Sequence, residues 1–352
     1  MELQELRKQI DLVDSEILKL LNKRMELALQ TKKMKKGVAD EGREKEVLES
    51  VKKGASGLIR PEFSEKVFRD IIAESRGLQE KGLRLAGFQG EHGAYSDMAV
   101  RQYRPSLVPI PCQEFVDVFE GVRMGRLDCG VVPVENSIEG AVTQVNDLLV
   151  ETDLKIVGEA RVPVHHCLLA LPDTDYRDIK VAYSHPQALA QCRGFLARNK
   201  LEPRPYYDTA GAARMLASER PRAAAAIAGR LCAEIYGLDV VKENIEDHES
   251  NSTRFLVLAR EPEQAEGNKC SIIFSTAHRA GALLSVLKVF SDSGINLTRI
   301  ESRPIRKDPG KFAFLLDFQG SDRDAKVAKA LEQVKSEAQV FKFLGCYKEA
   351  AQ

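Results

Sequence analysis

Residues 129–150 read CGVVPVENSIEGAVTQVNDLLV. The first half is a solid apolar run of strand length, and from Gly140 onward apolar residues recur at helical spacing. Between them stands a polar cluster, Glu135-Asn136-Ser137. A buried strand, a polar bend and a helix make one unit of a parallel sheet. The unit recurs on both sides. Upstream, LRLAGF (83–88) precedes SDMAVRQY, and LVPIP (107–111) precedes EFVDVFEGV. Downstream, a long apolar stretch at 155–171 crosses over. VAYSH (181–185), RPYYD (204–208) and AAAAIAG (223–229) each precede a helix, and RFLVLA closes the series. Two groups of β-α units predict a mostly parallel α/β architecture in two lobes, over residues 83–260.

The flanking segments have other periods. In residues 1–82, Leu3, Leu6, Ile10, Val13, Ile17, Leu20 and Leu27 recur at helical intervals, and no Pro or Gly interrupts them before Gly37. This predicts one helix of about 33 residues, roughly 50 Å long. Helices over Arg43–Lys53 and from Pro61 to about Gln79 follow. Two short helices cannot cover so long a stripe, so a second copy of the chain is expected against it. After a polar linker at 261–269, residues 270–348 alternate as β-α-β-β-α-β, a ferredoxin-like order.

Composition narrows the function. Of 352 residues, 52 are Lys or Arg and 52 Asp or Glu, giving no net charge and no nucleic-acid footprint. No apolar run reaches the roughly 18 residues of a membrane span, and the first residues are too charged for a secretory signal. Seven scattered cysteines without a C-x-x-C pair fit reduced thiols in a cytoplasmic protein. Gly87-x-x-Gly90-x-x-Gly93 lacks the G-x-G of a dinucleotide loop. His165-His166-Cys167, read as strand, would point to alternate faces. Neither cofactor nor metal is expected.

Polar residues then mark candidate sites. Arg24 falls on the first helix's apolar stripe, and Lys35 lies on nearly the same face three turns on. Such a cation either snorkels to water or, with Lys35, holds the two ends of a small dianion. Arg7 is about 25 Å back along the axis, so it can join that site only from a partner chain. Ser75 and Gln79 extend the stripe of the third helix with polar groups. In the α/β segment, Gly90–Ser96, Glu135–Ser137, Ser184-His185 and Asp208-Thr209 all follow strands, where open sheets bind ligands. Each alone reads as a helix cap, whereas four together read as an anion-binding crevice. In ESNSTRF (249–255), the run Asn251-Ser252-Thr253 is either a turn before a strand or the seat of a catalytic hydroxyl.

At this point the motifs resemble known families. Over residues 3–80 the chain resembles the all-helical class of chorismate mutase, a dimer with a swapped first helix. Arg7 in LRKQID, Arg24 in LLNKRMELA, Lys35, Asp40, Arg43 and Glu44 in REKEVL, Ser75 and Gln79 occupy the family's positions. The resemblance implies that Arg24 and a partner's Arg7 grip the carboxylates and that Lys35 and Gln79 face the ether oxygen. Asp40, Glu44 and Ser75 would then orient the ring hydroxyl and its neighbours. Over 83–260, VVPVENSIEGAV, YSHPQALAQC and NSTRF resemble prephenate dehydratase, with Glu91 and Ala94 departing from its usual first loop. That family ties catalysis to the Thr of T-R-F, here Thr253. Asn136, Ser184, Gln191 and Arg254 are then candidates for holding substrate, and Glu135 or His185 for supplying a proton. The last segment resembles an ACT domain, whose phenylalanine-binding motifs match Gly281, Ala282 and Leu283 of GALL and Glu301, Ser302, Arg303 and Pro304 of ESRP.

The combined expectation is an intertwined helical unit, a two-lobed α/β unit of the periplasmic-binding-protein kind and a regulatory unit. The implied partners are chorismate, prephenate, L-phenylalanine and a second copy of the chain. Two rivals stand beside it: a dehydratase whose helices serve only to dimerise, and an amino-acid-sensing binding protein.

Overall fold

The computed structural model describes residues 3–351 except 36, 38, 39, 263–265, 306, 307, 309 and 310, and only the backbone at 5 and 8. Part of the expected linker, 263–265, therefore lies outside the described residues. Three helices come first: α1 (Leu3–Met34), α2 (Glu41–Gly54) and α3 (Pro61–Glu80). Asp40 caps α2 by accepting from the Arg43 N–H, and Pro61 opens α3 where a missing N–H costs nothing. The apolar stripe of α1 stays open to solvent, with Leu3, Leu6, Ile10, Val13, Ile17, Leu20 and Leu27 between 42% and 69% exposed.

The first lobe runs β1 (Leu85–Gln89), α4 (Tyr95–Tyr103), β2 (Val108–Cys112), α5 (Phe115–Arg123), β3 (Cys129–Asn136), β4 (Gly140–Ala141), α6 (Thr143–Glu151) and β5 (Lys155–Pro163). The second runs β6 (Cys167–Ala170), β7 (Val181–Ser184), α7 (Pro186–Gln191), α8 (Arg193–Arg198), β8 (Glu202–Pro205), α9 (Thr209–Glu219), β9 (Ala224–Ala228), α10 (Arg230–Tyr236) and β10 (Asp239–Lys242). The chain then returns to the first lobe as β11 (Ser252–Ala259). The apolar stretch 155–171 is thus two strands, one in each lobe.

The sheets are less parallel than the β-α rhythm suggested. In the order β2-β1-β3-β11-β5, only β1 pairs in parallel, with β2 and β3. The returning β11 wedges antiparallel between β3 and β5. In the order β10-β6-β9-β7-β8, β7 pairs in parallel with β8 and β9, while β6 runs antiparallel to its neighbours. Gly140-Ala141, expected to open a helix, instead folds back on β3. The last unit is β12 (Lys269–Ser275), α11 (Ala282–Asp292), β13 (Leu297–Pro304), β14 (Phe312–Gln319), α12 (Ala325–Glu337) and β15 (Val340–Tyr347). Its antiparallel order β13-β14-β12-β15 is the ferredoxin-like one.

One apolar core joins the three units. Leu29 of α1, Leu85, Val132 and Leu256 of the first lobe, and Ile273, Leu315 and Leu344 of the last sheet belong to the same buried cluster. Polar contacts reinforce α1 on the lobes: Lys33 pairs with Asp128 at 2.7 Å and Glu26 with His92 at 2.8 Å. Burial opposes charge on His92, but Asp97 and Glu26 outweigh it and push its pKa up to about 9. No helix among the described residues is long and apolar enough to cross a membrane.

The last sheet docks by a close backbone approach at Gly345. A Cβ there would lie 2.2 Å from the Ile156 carbonyl oxygen of β5, and φ is +153°. Backbone cannot swing aside as a side chain can. Gly345→Ala should therefore lift β15 off β5 and destabilise the chain by about 1–3 kcal/mol. Thermal melts monitored by circular dichroism check this; an unchanged midpoint would mean that the two strands are not in contact.

Candidate active sites

A cleft of about 400 Å³ opens between the two lobes. The first lobe contributes Asn136 at the end of β3 and Thr253 at the start of β11; the second contributes His185, Gln187, Gln191, Asp208 and Thr209. Thr253 and Asn136 are direct partners in the β11–β3 ladder, so their side chains emerge on one face. Asn136 Oδ1 accepts from the Ile138 and Glu139 N–H groups at 3.0 and 3.1 Å. That fixes the amide orientation, and its NH₂ donates to Thr253 Oγ1 at 2.9 Å. With its oxygen already accepting, Thr253 presents its O–H as a donor to the cleft.

The opposite wall offers caps and a buried imidazole. Asp208 accepts from the Gly211 N–H at 2.7 Å, and burial, its largest influence, holds its carboxyl above the ordinary value. His185 caps α7 through Nδ1 at 3.3 Å from the Gln187 N–H. His166, at the crossover between lobes, lies 2.9 Å from the Tyr95 hydroxyl through Nδ1 and 2.8 Å from Gln191 Oε1 through Nε2. Gln191 gives its own NH₂ to Glu139 at 3.1 Å, so Oε1 must accept. Burial holds the His166 pKa down, and Nε2 donates to Gln191, while the Tyr95 hydroxyl beside Nδ1 donates to the His165 carbonyl at 2.7 Å.

Sequence reasoning missed His166 as a cleft residue and reached Tyr95 only as part of the Gly90–Ser96 loop. The pair His165-His166 was weighed only as strand ligands for a metal, yet both lie in the crossover loop. Both are anchored on Glu246, His165 through Nδ1 at 2.7 Å and His166 through its N–H at 2.9 Å.

Three expected residues do not reach the cleft, and strand alternation explains each. Ser184 is fully buried and donates to the Ile227 carbonyl at 2.6 Å, tying β7 to β9. Arg254 and Glu135 are the neighbours of Thr253 and Asn136, so they point to the other face. Arg254 is buried there between sheets, bonded to Glu159 at 2.8 Å, Asp317 at 2.6 Å, Glu135 at 3.2 Å and the Tyr347 hydroxyl at 3.2 Å. Burial alone would lower its pKa, but Asp317, Glu159 and Glu135 hold it above the ordinary value. Glu135 also faces Arg299 at 3.6 Å and lines a second cavity of about 340 Å³ with Arg161 and Glu301.

In the helical unit, Arg24 donates to Ser75 Oγ at 2.6 Å, and Gln79 donates to the Ala28 carbonyl. Burial lowers the Arg24 pKa. Lys35 pairs with Asp40 at 2.8 Å, and Glu44 pairs with Arg76, a residue not singled out from sequence. Arg43 turns to Glu46 at 2.9 Å on the surface, away from this set. Arg7 is exposed far along α1 and does not join Arg24 within one chain.

In the last unit, Gly281 caps α11 with φ +80°, followed by a buried Ala282, and Leu283 lines a cavity of about 170 Å³ with Phe312 and Phe314. Glu301 and Arg303 share the face of β13 turned to the first lobe, where Arg303 meets Asp147 at 2.6 Å. Ser302 and Pro304 fall on the other face. The two motifs thus line different cavities of one chain.

Comparison with known proteins agrees with this division. The chorismate mutase type II pattern matches residues 6–80, the prephenate dehydratase pattern 86–263 and the ACT domain pattern 271–336. A bifunctional chorismate mutase/prephenate dehydratase of Aquifex aeolicus is 37% identical over 99% of this chain and 98% of its own. Among solved structures, a prephenate dehydratase from Arthrobacter aurescens in complex with L-Phe superposes with a TM-score of 0.69 at 34% identity, over 75% of this chain and 89% of that one. GqqA, described as a quorum-quenching acylase, superposes with a TM-score of 0.70 at 35% identity, over 75% of this chain and 97% of that one. With helical, two-lobed and ACT-like units matched in order along nearly its whole length, this chain belongs to the family of bifunctional chorismate mutase/prephenate dehydratases.

Proposed function

We propose that this chain rearranges chorismate to prephenate in its helical unit and converts prephenate to phenylpyruvate in the interlobe cleft, under feedback from L-phenylalanine. The observation that carries this reading is that one chain of the family holds both polar sets: Arg24, Ser75, Gln79, Lys35 and Asp40 among the helices, and Thr253 with Asn136 in the cleft. A purely dimerising helical unit has no use for polar groups on its packed faces, and a sensor has none for a pre-aimed hydroxyl.

The chemistry matches these groups. Chorismate rearranges by a pericyclic step that needs a held conformation and donors at the breaking ether oxygen. Arg24 grips one carboxylate; Lys35 and Gln79 serve the ether oxygen by exchanging their present partners, Asp40 and the Ala28 carbonyl. Asp40, Glu44 and Ser75 orient the ring. The second carboxylate calls for a cation from outside this set. Arg7 of a second copy supplies it if the exposed stripes of two α1 helices pack together, which makes a homodimer the working form. Arg43 is left as a surface residue.

In the cleft, prephenate loses carbon dioxide and, with one proton, its ring hydroxyl as water. The Thr253 O–H donates to that departing hydroxyl; a Thr is too weak an acid to be the final source. Of the two candidate sources, His185 lines the cleft while Glu135 is turned to Arg254, so His185 is favoured. Gln191, held by His166, and Asn136 frame the substrate. Phenylalanine needs donors for its carboxylate and an acceptor for its ammonium. Gly281–Leu283 of one copy facing Glu301 of another meets that need, with binding felt through the docked sheet. The unit bounds 1–82, 83–260 and 270–348 and a cytoplasmic location belong to the same reading.

Three outcomes test it. Lys35→Ala should cut mutase turnover about 10²–10³-fold while dehydratase activity on added prephenate stays unchanged, and Thr253→Ala should do the reverse. Parallel loss of both activities in coupled assays would refute separate sites. Refolded mixtures of Arg7→Ala and Arg24→Ala chains should regain part of the mutase activity that each lacks; heterodimers without rescue would refute the shared site. Glu301→Gln should weaken phenylalanine binding in calorimetry and relieve inhibition of the dehydratase, with wild-type affinity counting against that site.

A further inference from the structure

Two of the seven cysteines are not scattered. Cys270 on β12 and Cys346 on β15 are direct partners in the antiparallel ladder. Directly paired Cα atoms lie about 4.5–5.5 Å apart, inside the roughly 4.4–6.8 Å range that a disulfide requires. Both side chains take the helix-covered face of the last sheet, in one apolar cluster. Both sulfurs converge on the Gly320 carbonyl oxygen, Cys270 at 3.4 Å and Cys346 at 3.9 Å. Their exposure differs: Cys270 is fully buried and Cys346 only partly.

From this geometry we propose that Cys346 and Cys270 form a thiol–disulfide redox pair, with Cys346 as the attacking thiol, Cys270 as the resolving thiol and a small disulfide as oxidant. The Cys346 thiolate attacks one sulfur of the oxidant and expels the first small thiolate, leaving a mixed disulfide on Cys346. Cys270 then gives up its proton and attacks the Cys346 sulfur, expelling the second small thiolate. The two cysteines lose two electrons and the oxidant, reduced to two thiols, gains them.

The electrostatics agree with these roles. A hydrogen bond from Cys270 holds the Cys346 thiol below its ordinary value, assisted by the Asp322 N–H, while burial and the Asp322 carboxylate oppose. The same bond, then burial, hold Cys270 above its own. The bridge would close a loop from 270 to 346, stapling nearly the whole last unit, one residue before Tyr347 and its contact with Arg254.

The test uses full-length protein and glutathione disulfide at pH 7.5, with peptide mapping under non-reducing conditions. Cys112, also partly exposed but pushed up to about 11 mainly by burial, is the internal control. Cys346 should react roughly 10-fold or more faster than Cys112, and the product should link the Cys270 and Cys346 peptides. Cys270→Ala should stop at a glutathione adduct on Cys346, and Cys346→Ala should leave Cys270 unmodified. The proposal fails if wild-type Cys346 reacts no faster than Cys112, if the link joins other cysteines, or if Cys270 is modified in Cys346→Ala. Prephenate turnover checks that both variants fold; the wild-type rate comparison stands without them.

Discussion

Arg254 carries a positive charge with 1% of its surface exposed, in the seam where two sheets meet. A buried guanidinium is tolerable only if carboxylates and hydroxyls surround it, and here they come from separate stretches of chain. Glu135 comes from β3, Glu159 from β5, and Asp317 and Tyr347 from the last unit. Lys269 adds a second buried cation on Glu159 at 3.2 Å, and Arg299 approaches Asp317 at 3.7 Å. Removing one partner would leave a charge stranded in a dry seam, at a cost of about 3–5 kcal/mol. The network therefore sets where the last sheet sits on the first lobe. Because Thr253 is the next residue along the strand, it also sets how firmly the hydroxyl that lines the cleft is held.

Much of this architecture was legible from periodicity. The steps of three and four in α1, the β-α rhythm and the last β-α-β-β-α-β order each reflect which faces of an element must be dry, and burial writes that directly into sequence. What stayed illegible was choice between neighbours. β3 and β11 have both faces covered, so nothing in VVPVEN or STRF says which of Glu135 and Asn136, or Arg254 and Thr253, turns to the cleft. Ser184 looked like a ligand because it ends a strand, where polar residues serve ligands and strand ties alike. The antiparallel insertion of β11 was hidden for a different reason: pairing direction depends on a return from 90 residues away, beyond any local window.

The helical unit is fastened to the dehydratase lobes rather than merely tethered. Glu26 lies two residues from Arg24, and its partner His92 sits in the loop that leads to α4 and the cleft. The same loop is tied to the second lobe, where Tyr236 donates to the His92 carbonyl at 2.7 Å and Lys19 lies over the Tyr236 ring at 5.8 Å. One face of α1, with Lys19, Glu26 and Lys33, thus braces both lobes, while the roughly opposite stripe carries Arg24 and Lys35 and leaves its apolar residues exposed within a single chain.

The late return of β11 has a bearing on how the molecule comes into being. A ribosome delivers β3 and β5 long before β11, with the entire second lobe emerging in between. Until residue 259 is out, the first lobe has a slot between β3 and β5 and two strand edges without their β11 partner, the kind of edge that invites association with other chains. Strictly sequential completion of the lobes during synthesis is therefore closed to this segment; the second lobe must have been synthesised before the first can be finished. The strand that completes the sheet is also the one that brings Thr253 to Asn136, so a chain interrupted anywhere before that point is at once unfinished as a fold and without part of one wall of the cleft.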